Sequence, residues 1–149
     1  MNTDTEVDLK HPGSSQLLLR HETQQIPGCA FDVLNEIGHG LHEKIYENAL
    51  AVAFRLKGIS FEQQHRFPVL FKGEQVGEFI PDLLVFDAVV VDPKVVDKIT
   101  NHERGKMLNY LRIAKKRVGL LLNFKYSRLQ WERLVFSRIY PCSSVSIRG

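Results

Sequence analysis

The sequence predicts one α/β (α+β) domain with a central mixed β-sheet flanked by helices, in the order ααββββαββ. Three observations support this. The length of 149 residues, with 44 % hydrophobic and 25 % charged residues, suits a single globular domain with one core. Apolar residues recur at helical spacing in three segments and follow strand patterns in the others. One helix interrupts the run of strands, which favours a mixed sheet.

The domain is expected at residues 25–140, between a flexible polar arm (1–24) and a tail (141–149). The arm shows no sustained hydrophobic period, and it has neither the basic start nor the apolar stretch of a signal peptide. No apolar run reaches the ~18 residues of a membrane span. Cys29 and Cys142 do not make a disulfide framework, so we expect a cytoplasmic protein.

Helical spacing appears in three places. Residues 29–37 are followed by Gly38, which suits a left-handed helix cap. Residues 41–57 form an amphipathic pattern that ends before Gly58, and residues 101–114 form the central helix. The apolar residues at helical spacing are Ile45, Ala49 and Ala53 beside Tyr46, Leu50 and Phe54 in the second helix, and Met107, Leu108 and Leu111 in the third.

Strand patterns fill the remaining sequence. Two segments with a period of two are joined by a turn at residues 72–74 and predict a hairpin. Short apolar runs follow, typical of strands buried on both faces. The strands are expected at residues 61–71, 75–80, 83–86, 89–91, 118–124 and 129–139.

Two aspartates flank the apolar runs at 83–86 and 89–91. If these runs form a hairpin that turns about Asp87, opposed residue numbers add up to 174, so Asp82 faces Asp92 at a Cβ separation of ~5 Å. Asp92 and Lys94 then point to the same face. Two such carboxylates repel unless a cation lies between them, and oxygen ligands suit Mg²⁺. In the alternative, Asp82 and Asp92 are strand-end residues paired with Lys94.

A larger pattern surrounds these aspartates. The segment from Gly40 to Tyr46, GLHEKIY, has the pattern Gly-x-x-Glu-x-x-Tyr. From about residue 26 to 135 the chain resembles the GxxExxY protein family, which is placed in the PD-(D/E)XK nuclease-like superfamily. The other segments that carry the resemblance are PDL at 81–83, DPK at 92–94, MLNYL at 107–111 and GLLLNF at 119–124.

The resemblance implies a mixed sheet flanked by helices and a metal-dependent nuclease that hydrolyses phosphodiester bonds, with DNA favoured over RNA. It implies Asp82 and Asp92 as ligands of Mg²⁺ or Mn²⁺, Lys94 as the catalytic lysine, and Glu43 as a further acidic member of the catalytic and metal site. Glu47, one turn after Glu43, either belongs to this site or is a solvated carboxylate paired with a lysine.

Two residues depart from the family pattern. Lys106 stands where the family has the Gln of a Gln-x-x-x-Tyr motif, while Tyr110 is retained. Both share one helix face, so Lys106 either holds a phosphate or neutralises a carboxylate and displaces the metal. Pro93 fits only an edge or bulged strand position. These departures support an alternative: a catalytically inactive nuclease-fold protein that binds nucleic acid or another protein.

Charge is divided unevenly along the chain. Residues 1–97 contain 8 Lys/Arg and 15 Asp/Glu, a net charge of −7, whereas residues 98–149 contain 12 Lys/Arg and 2 Asp/Glu, a net charge of +10. A one-sided basic segment is typical of proteins that bind a phosphate backbone, although a solvated basic surface is the alternative. The candidate nucleic-acid contacts are Lys106, Tyr110, Arg112, Lys115, Lys116 and Arg117, with Lys125 and Arg128.

Overall fold

A computed structural model gives the structure of residues 3–5, as backbone, and of residues 23–137. Most of the predicted arm (1–24) and all of the predicted tail (141–149) lie outside the described residues. The helices are α1 (Gln25–Ile37), α2 (Glu43–Leu56) and α3 (Asn101–Ala114). The strands are β1 (Thr3–Thr5), β2 (Phe61–Gln63), β3 (Phe67–Phe71), β4 (Glu74–Phe79), β5 (Leu83–Val85), β6 (Val89–Lys94), β7 (Val118–Asn123) and β8 (Gln130–Val135).

The strands form one mixed sheet and a separate hairpin. The sheet has the order β1-β8-β7-β6-β5-β2, and β3 pairs with β4 outside it. Strands β6 and β7 run parallel at the centre, and α3 makes the crossover connection that a parallel pair requires. The mixed α/β architecture predicted from the sequence is confirmed. Within residues 23–137, no helix is long and apolar enough to cross a membrane.

The sheet is covered on both faces. Helices α1 and α2 pack on one face, where Tyr46 and Leu50 contact the core around Val91. Helix α3 covers the other face, where Met107 packs in the core around Val90. Because successive strand residues point to opposite faces, the even-numbered residues of β6 lie on the α3 side of the sheet.

The helix boundaries follow from local residues. Helix α1 begins four residues before the predicted start and ends at Ile37. Gly38 follows it with φ of 86° and ψ of 179°, a conformation that suits glycine but is not the left-handed helical cap that the sequence predicts. Helix α3 spans the predicted range, and the hydroxyl of Thr100 and the carboxylate of Glu103 form a capping box at its start. On α2 the buried stripe runs through Tyr46, Leu50 and Phe54, whereas Ile45 is 44 % exposed.

The predicted strand at residues 61–71 is wrong as a single element. Gln64 has a left-handed backbone with φ of 59°, so the chain turns there and β2 and β3 enter different sheets. Five strands therefore lie between α2 and α3, where the sequence predicts four. The hairpin of β3 and β4 is confirmed: its turn places Lys72 and Gly73 at φ of 51° and 84°, as a two-residue hairpin turn of type I′ requires.

Pro93 lies in β6, an interior strand of the sheet, but beyond the residues that pair with β5, so its position is locally the edge that the sequence predicts. The carbonyl of Lys94 accepts a hydrogen bond from the Phe124 N–H on the β7 side. Since backbone groups alternate sides along a strand, the Pro93 nitrogen faces β5. The pairing of β5 with β6 ends at Leu83 and Val91, so proline removes no ladder hydrogen bond.

Candidate active site

The hairpin of β5 and β6 has the predicted register. Leu83 pairs with Val91, and the two following pairs keep the sum of 174. Asp82 directly precedes Leu83, and Asp92 directly follows Val91. Both carboxylates therefore lie at the same end of the hairpin. Because side chains alternate along a strand, both aspartates lie on the same face of the sheet as Val90, which packs on the α3 side.

A cavity of about 470 Å³ lies between the β3–β4 hairpin, α3 and this end of the sheet. Its apolar wall includes Val69 and Phe79 of the hairpin and Ile113 of α3. Four carboxylates therefore share the cavity with one lysine. The polar residues that line it are Glu43, Glu78, Asp82, Asp92, Lys94 and Tyr110.

Burial and like charge act together on the two aspartates. Burial raises the pKa of Asp92 to about 6; the Lys94 ammonium opposes this rise, and the charges of Asp82 and Glu43 add to it. Burial, followed by the charge of Glu47, also raises the pKa of Asp82. Both carboxylates are thus held in an environment that disfavours their ionised form and that a cation would relieve.

Lys94 pairs with Asp92 on the same face of β6. Its Nζ lies 3.3 Å from Oδ2 of Asp92, and both side chains are about one-fifth exposed. Burial lowers the pKa of Lys94, but the charge and hydrogen bond of Asp92, together with the charges of Glu43 and Glu103, raise it, so the pKa stands above its usual value. The ammonium is therefore present at neutral pH beside the carboxylates.

Glu43 reaches the cavity from the first turn of α2, where its Oε2 accepts a hydrogen bond from the Val95 N–H at 3.2 Å. The Gly-x-x-Glu-x-x-Tyr motif builds this turn. The Gly40 N–H donates to the Phe124 carbonyl at 2.9 Å, and the backbone of Gly40 has φ of 78°. The ring of Tyr46 stacks on Phe124 with centroids 4.3 Å apart.

The hydroxyl of Tyr46 closes the same turn. It donates to the carbonyl of Gly38 at 2.8 Å and accepts from the N–H of Leu41 at 3.0 Å. The side chain of Tyr46 is completely buried. Its role is therefore structural, because it holds the turn that carries Glu43.

Glu47 is a buried carboxylate, only 2 % exposed, so a solvated helix position is wrong for it. It forms an ion pair with Lys44 at 3.2 Å and accepts hydrogen bonds from Gln63 at 2.8 Å and from Gln64 at 3.0 Å. It does not line the cavity, but its charge contributes to the raised pKa of Asp82.

Lys106 is exposed and lies one turn before Tyr110 on α3. Tyr110 lines the cavity and stacks on Phe79 with centroids 4.1 Å apart. Lys106 is not among the described residues that line the cavity, so helix spacing places it near the rim.

The basic cluster of Lys115, Lys116 and Arg117 is not brought to the carboxylates. It precedes β7, whose first residue pairs with Val89 at the start of β6, and Lys116 donates to the Asp87 carbonyl at 2.9 Å. The cluster lies at the opposite end of the sheet, roughly 13 Å from Asp92 by the rise of a strand. The guanidinium of Arg112 lies over the Phe136 ring, 5.2 Å from its centroid. The contact of these residues with nucleic acid stays a prediction.

The loop between β7 and β8, by contrast, lies at the same end of the sheet as the carboxylates. Lys125 of this loop forms an ion pair with Asp97 at 3.3 Å. Its carbonyl contacts the His39 ring at 3.1 Å, and Arg128 is exposed in the same loop.

The carboxylates fit a small divalent cation by their chemistry. Mg²⁺ binds through one or two carboxylates and keeps water in its other positions, and Asp82 and Asp92 supply two. No group of three His, Cys, Asp or Glu side chains within residues 23–137 forms a metal site as it stands. Glu43, Asp82 and Asp92 are therefore not arranged as a three-ligand site in this structure, and their role as metal ligands stays a prediction.

Sequence reasoning missed Glu78. This carboxylate lines the cavity from β4 and forms an ion pair with Arg66 at 2.8 Å. The alternation of β4 was visible in the sequence, but the packing of the hairpin over the sheet end depends on the turn at Gln64, which no spacing predicted.

A family model described as the PD-(D/E)XK nuclease superfamily matches residues 20–134. No curated protein and no solved structure shows a significant match.

Proposed function

This chain belongs to the PD-(D/E)XK nuclease superfamily, and we propose that it is a metal-dependent nuclease that hydrolyses phosphodiester bonds of nucleic acid. The observation that carries the proposal is the cavity that gathers Glu43, Asp82, Asp92 and Lys94 at one end of the sheet. Burial and mutual repulsion of its carboxylates support a cation as their partner.

Asp82 and Asp92 would hold Mg²⁺ or Mn²⁺, and Glu43 would be a third ligand. Such an ion, when bound, activates water and stabilises negative charge on a phosphate oxygen. Glu43 is oriented by its hydrogen bond from Val95. A carboxylate fixed by a backbone donor loses little freedom when it binds a ligand.

Lys94 is the cationic side chain that the protein itself contributes to the cavity. Its ammonium has three hydrogen-bond donors, and one contacts Asp92. The others are available to a phosphate oxygen or to an attacking water in the cavity. A fixed cation beside developing negative charge stabilises the transition state without reorganisation. Tyr110 and the rim residue Lys106 would contact the backbone of the bound strand.

The test is binding of Mn²⁺ to the full chain by calorimetry, with Asp82→Ala as the variant and Glu36→Ala, an exposed carboxylate of α1, as the matched control. We expect Asp82→Ala to weaken Mn²⁺ binding at least tenfold and to abolish Mn²⁺-dependent cleavage of labelled DNA and RNA oligonucleotides, whereas Glu36→Ala behaves as the wild type. Equal Mn²⁺ binding by wild type and Asp82→Ala would overturn the proposal.

The second candidate is a nuclease-fold protein that binds nucleic acid without cleaving it. The ion pair between Lys94 and Asp92 favours it, because it already neutralises one carboxylate. Nucleic-acid binding without Mn²⁺ binding or cleavage would support this candidate.

A further inference from the structure

We propose that Gln64 is a positioning residue that holds the Asp82 carboxylate toward the cavity, and that the buried Glu47 holds Gln64 in turn. The inference rests on the proposed function, because it assigns Asp82 to the metal site. It adds a pair of residues that contact neither the metal nor the substrate.

The backbone brings Gln64 beside Asp82. Strand β2 pairs with β5 so that Gln63 faces Leu83, and the next position in that register joins Gln64 with Asp82. The Gln64 N–H donates to the Asp82 carbonyl at 3.2 Å. Asp82 therefore lies between Gln64 on one side and the end of β6, with Asp92, on the other.

The side chain of Gln64 lies between two carboxylates. Its Nε2 donates to Oε2 of Glu47 at 3.0 Å, and the same amide lies close enough to the Asp82 carboxylate to lower the pKa of that group. A primary amide has two N–H donors, which suits it to this position between two acceptors. Gln63 has no such role, because its Nε2 donates to Glu47 and to Asn48.

Glu47 provides a fixed acceptor for this amide. It is 2 % exposed, and Lys44 balances its charge from the surface. A buried carboxylate with several donors has little freedom to turn, so the amide that bonds to it is fixed as well.

The backbone of Gln64 adds a second reason. A left-handed conformation is unusual for a residue other than Gly, Asn or Asp, and glycine would adopt the φ of 59° without strain. Gln64 thus carries a long side chain at a position whose backbone would suit glycine. An observed outlier of this kind is grounds for a functional hypothesis.

The test compares Gln64→Gly with Gln63→Ala. Gln64→Gly removes the amide and suits the left-handed backbone, so we expect an unfolding midpoint within about 5 °C of the wild type. Mn²⁺ binding to the full chain should weaken about tenfold or more, the usual range for loss of a group that orients a metal ligand. Gln63→Ala also removes one donor to Glu47 but leaves Asp82 untouched, and it should bind Mn²⁺ within about twofold of the wild type.

Glu47→Gln tests the second half of the inference. It keeps an oxygen acceptor for Gln64 and removes the charge, so Mn²⁺ affinity should stay within about threefold of the wild type. A loss as large as that of Gln64→Gly would contradict the role given to Glu47. Equal Mn²⁺ affinities for Gln64→Gly and Gln63→Ala, with binding by the wild type intact, would overturn the role of Gln64 and leave the proposed function standing. A wild type that binds no Mn²⁺ would instead overturn the proposed function.

Discussion

Replacing Asp92 by asparagine should stabilise the metal-free protein at neutral pH. Burial raises the pKa of Asp92 from 3.8 to about 6, so between these two pH values the folded protein holds a proton there that the unfolded chain has already released. Folding stability is therefore greatest when Asp92 is neutral, below pH 4, and falls as the pH rises through 6. Asparagine has nearly the same shape and does not ionise, so the Asp92→Asn variant avoids this loss.

The magnitude follows from the pKa shift. A rise from 3.8 to about 6 corresponds to about 3 kcal/mol at 1.36 kcal/mol per unit, all of it present above pH 7. The pKa of about 6 already includes the favourable ion pair with Lys94, because the Lys94 ammonium opposes the rise. No separate correction for the loss of this ion pair is needed. The advantage of Asp92→Asn over the wild type should therefore grow by about 3 kcal/mol between pH 4 and pH 8.

Urea unfolding of both proteins in EDTA, at pH values from 4 to 8, measures this difference. Other groups contribute to the pH dependence of each protein; Glu103 is one, because its hydroxyl and backbone partners at Thr100 lower its pKa to about 2, so its contribution is lost only in acid. These contributions are the same in both proteins, so they cancel when the unfolding free energy of the wild type is subtracted from that of the variant. A difference in unfolding free energy that does not change with pH would refute the reasoning.

Two further predictions concern residues around the site. Tyr46→Phe keeps the stacking on Phe124 but removes both hydroxyl hydrogen bonds; it should lower the free energy of unfolding by about 1–2 kcal/mol, measured by urea denaturation. An unchanged unfolding free energy would contradict the closure of the turn by this hydroxyl. Lys106→Gln should leave Mn²⁺ affinity nearly unchanged in calorimetry and weaken oligonucleotide binding by ~1–3 kcal/mol. Mn²⁺ binding that appears only in Lys106→Gln would show that Lys106 replaces the metal.

The elements with local signals could be predicted from the sequence. The register of the hairpin around Asp87 followed from two apolar runs separated by a short turn, because the length of the loop fixes the register of a hairpin. Helix α3 was predicted with its bounds from the helical spacing of Met107, Leu108 and Leu111, and the structure adds the capping box of Thr100 and Glu103 that fixes its start.

The break at Gln64 could not be predicted in the same way. Residues 61–71 alternate as one strand would, and glutamine carries no turn signal. The left-handed backbone at this position is coupled to contacts with Asp82 and Glu47, which are distant in sequence. Propensity and spacing do not describe such tertiary contacts, and the resulting placement of Glu78 was missed for the same reason.

The carboxylates of the cavity differ in how far the sequence could place them. Hairpin geometry alone brought Asp82 and Asp92 together, whereas Glu43 entered only through the family resemblance. The basic stretch at 115–117 illustrates the opposite case. Its charge was evident, but its position at the far end of β7 follows from the direction of the strands, and composition carries no information about direction.

Phe124 explains how the acidic side chains stay together despite their repulsion. Its N–H donates to the carbonyl of Lys94, and its carbonyl accepts from the N–H of Gly40. Its ring stacks on Tyr46. One buried residue therefore joins the end of β6, which carries Asp92 and Lys94, to the turn that presents Glu43. Like charges cannot hold themselves at short range, so their spacing must come from backbone contacts of this kind. Gly40 and Tyr46 of the motif do not line the cavity, but they fix the turn that carries Glu43.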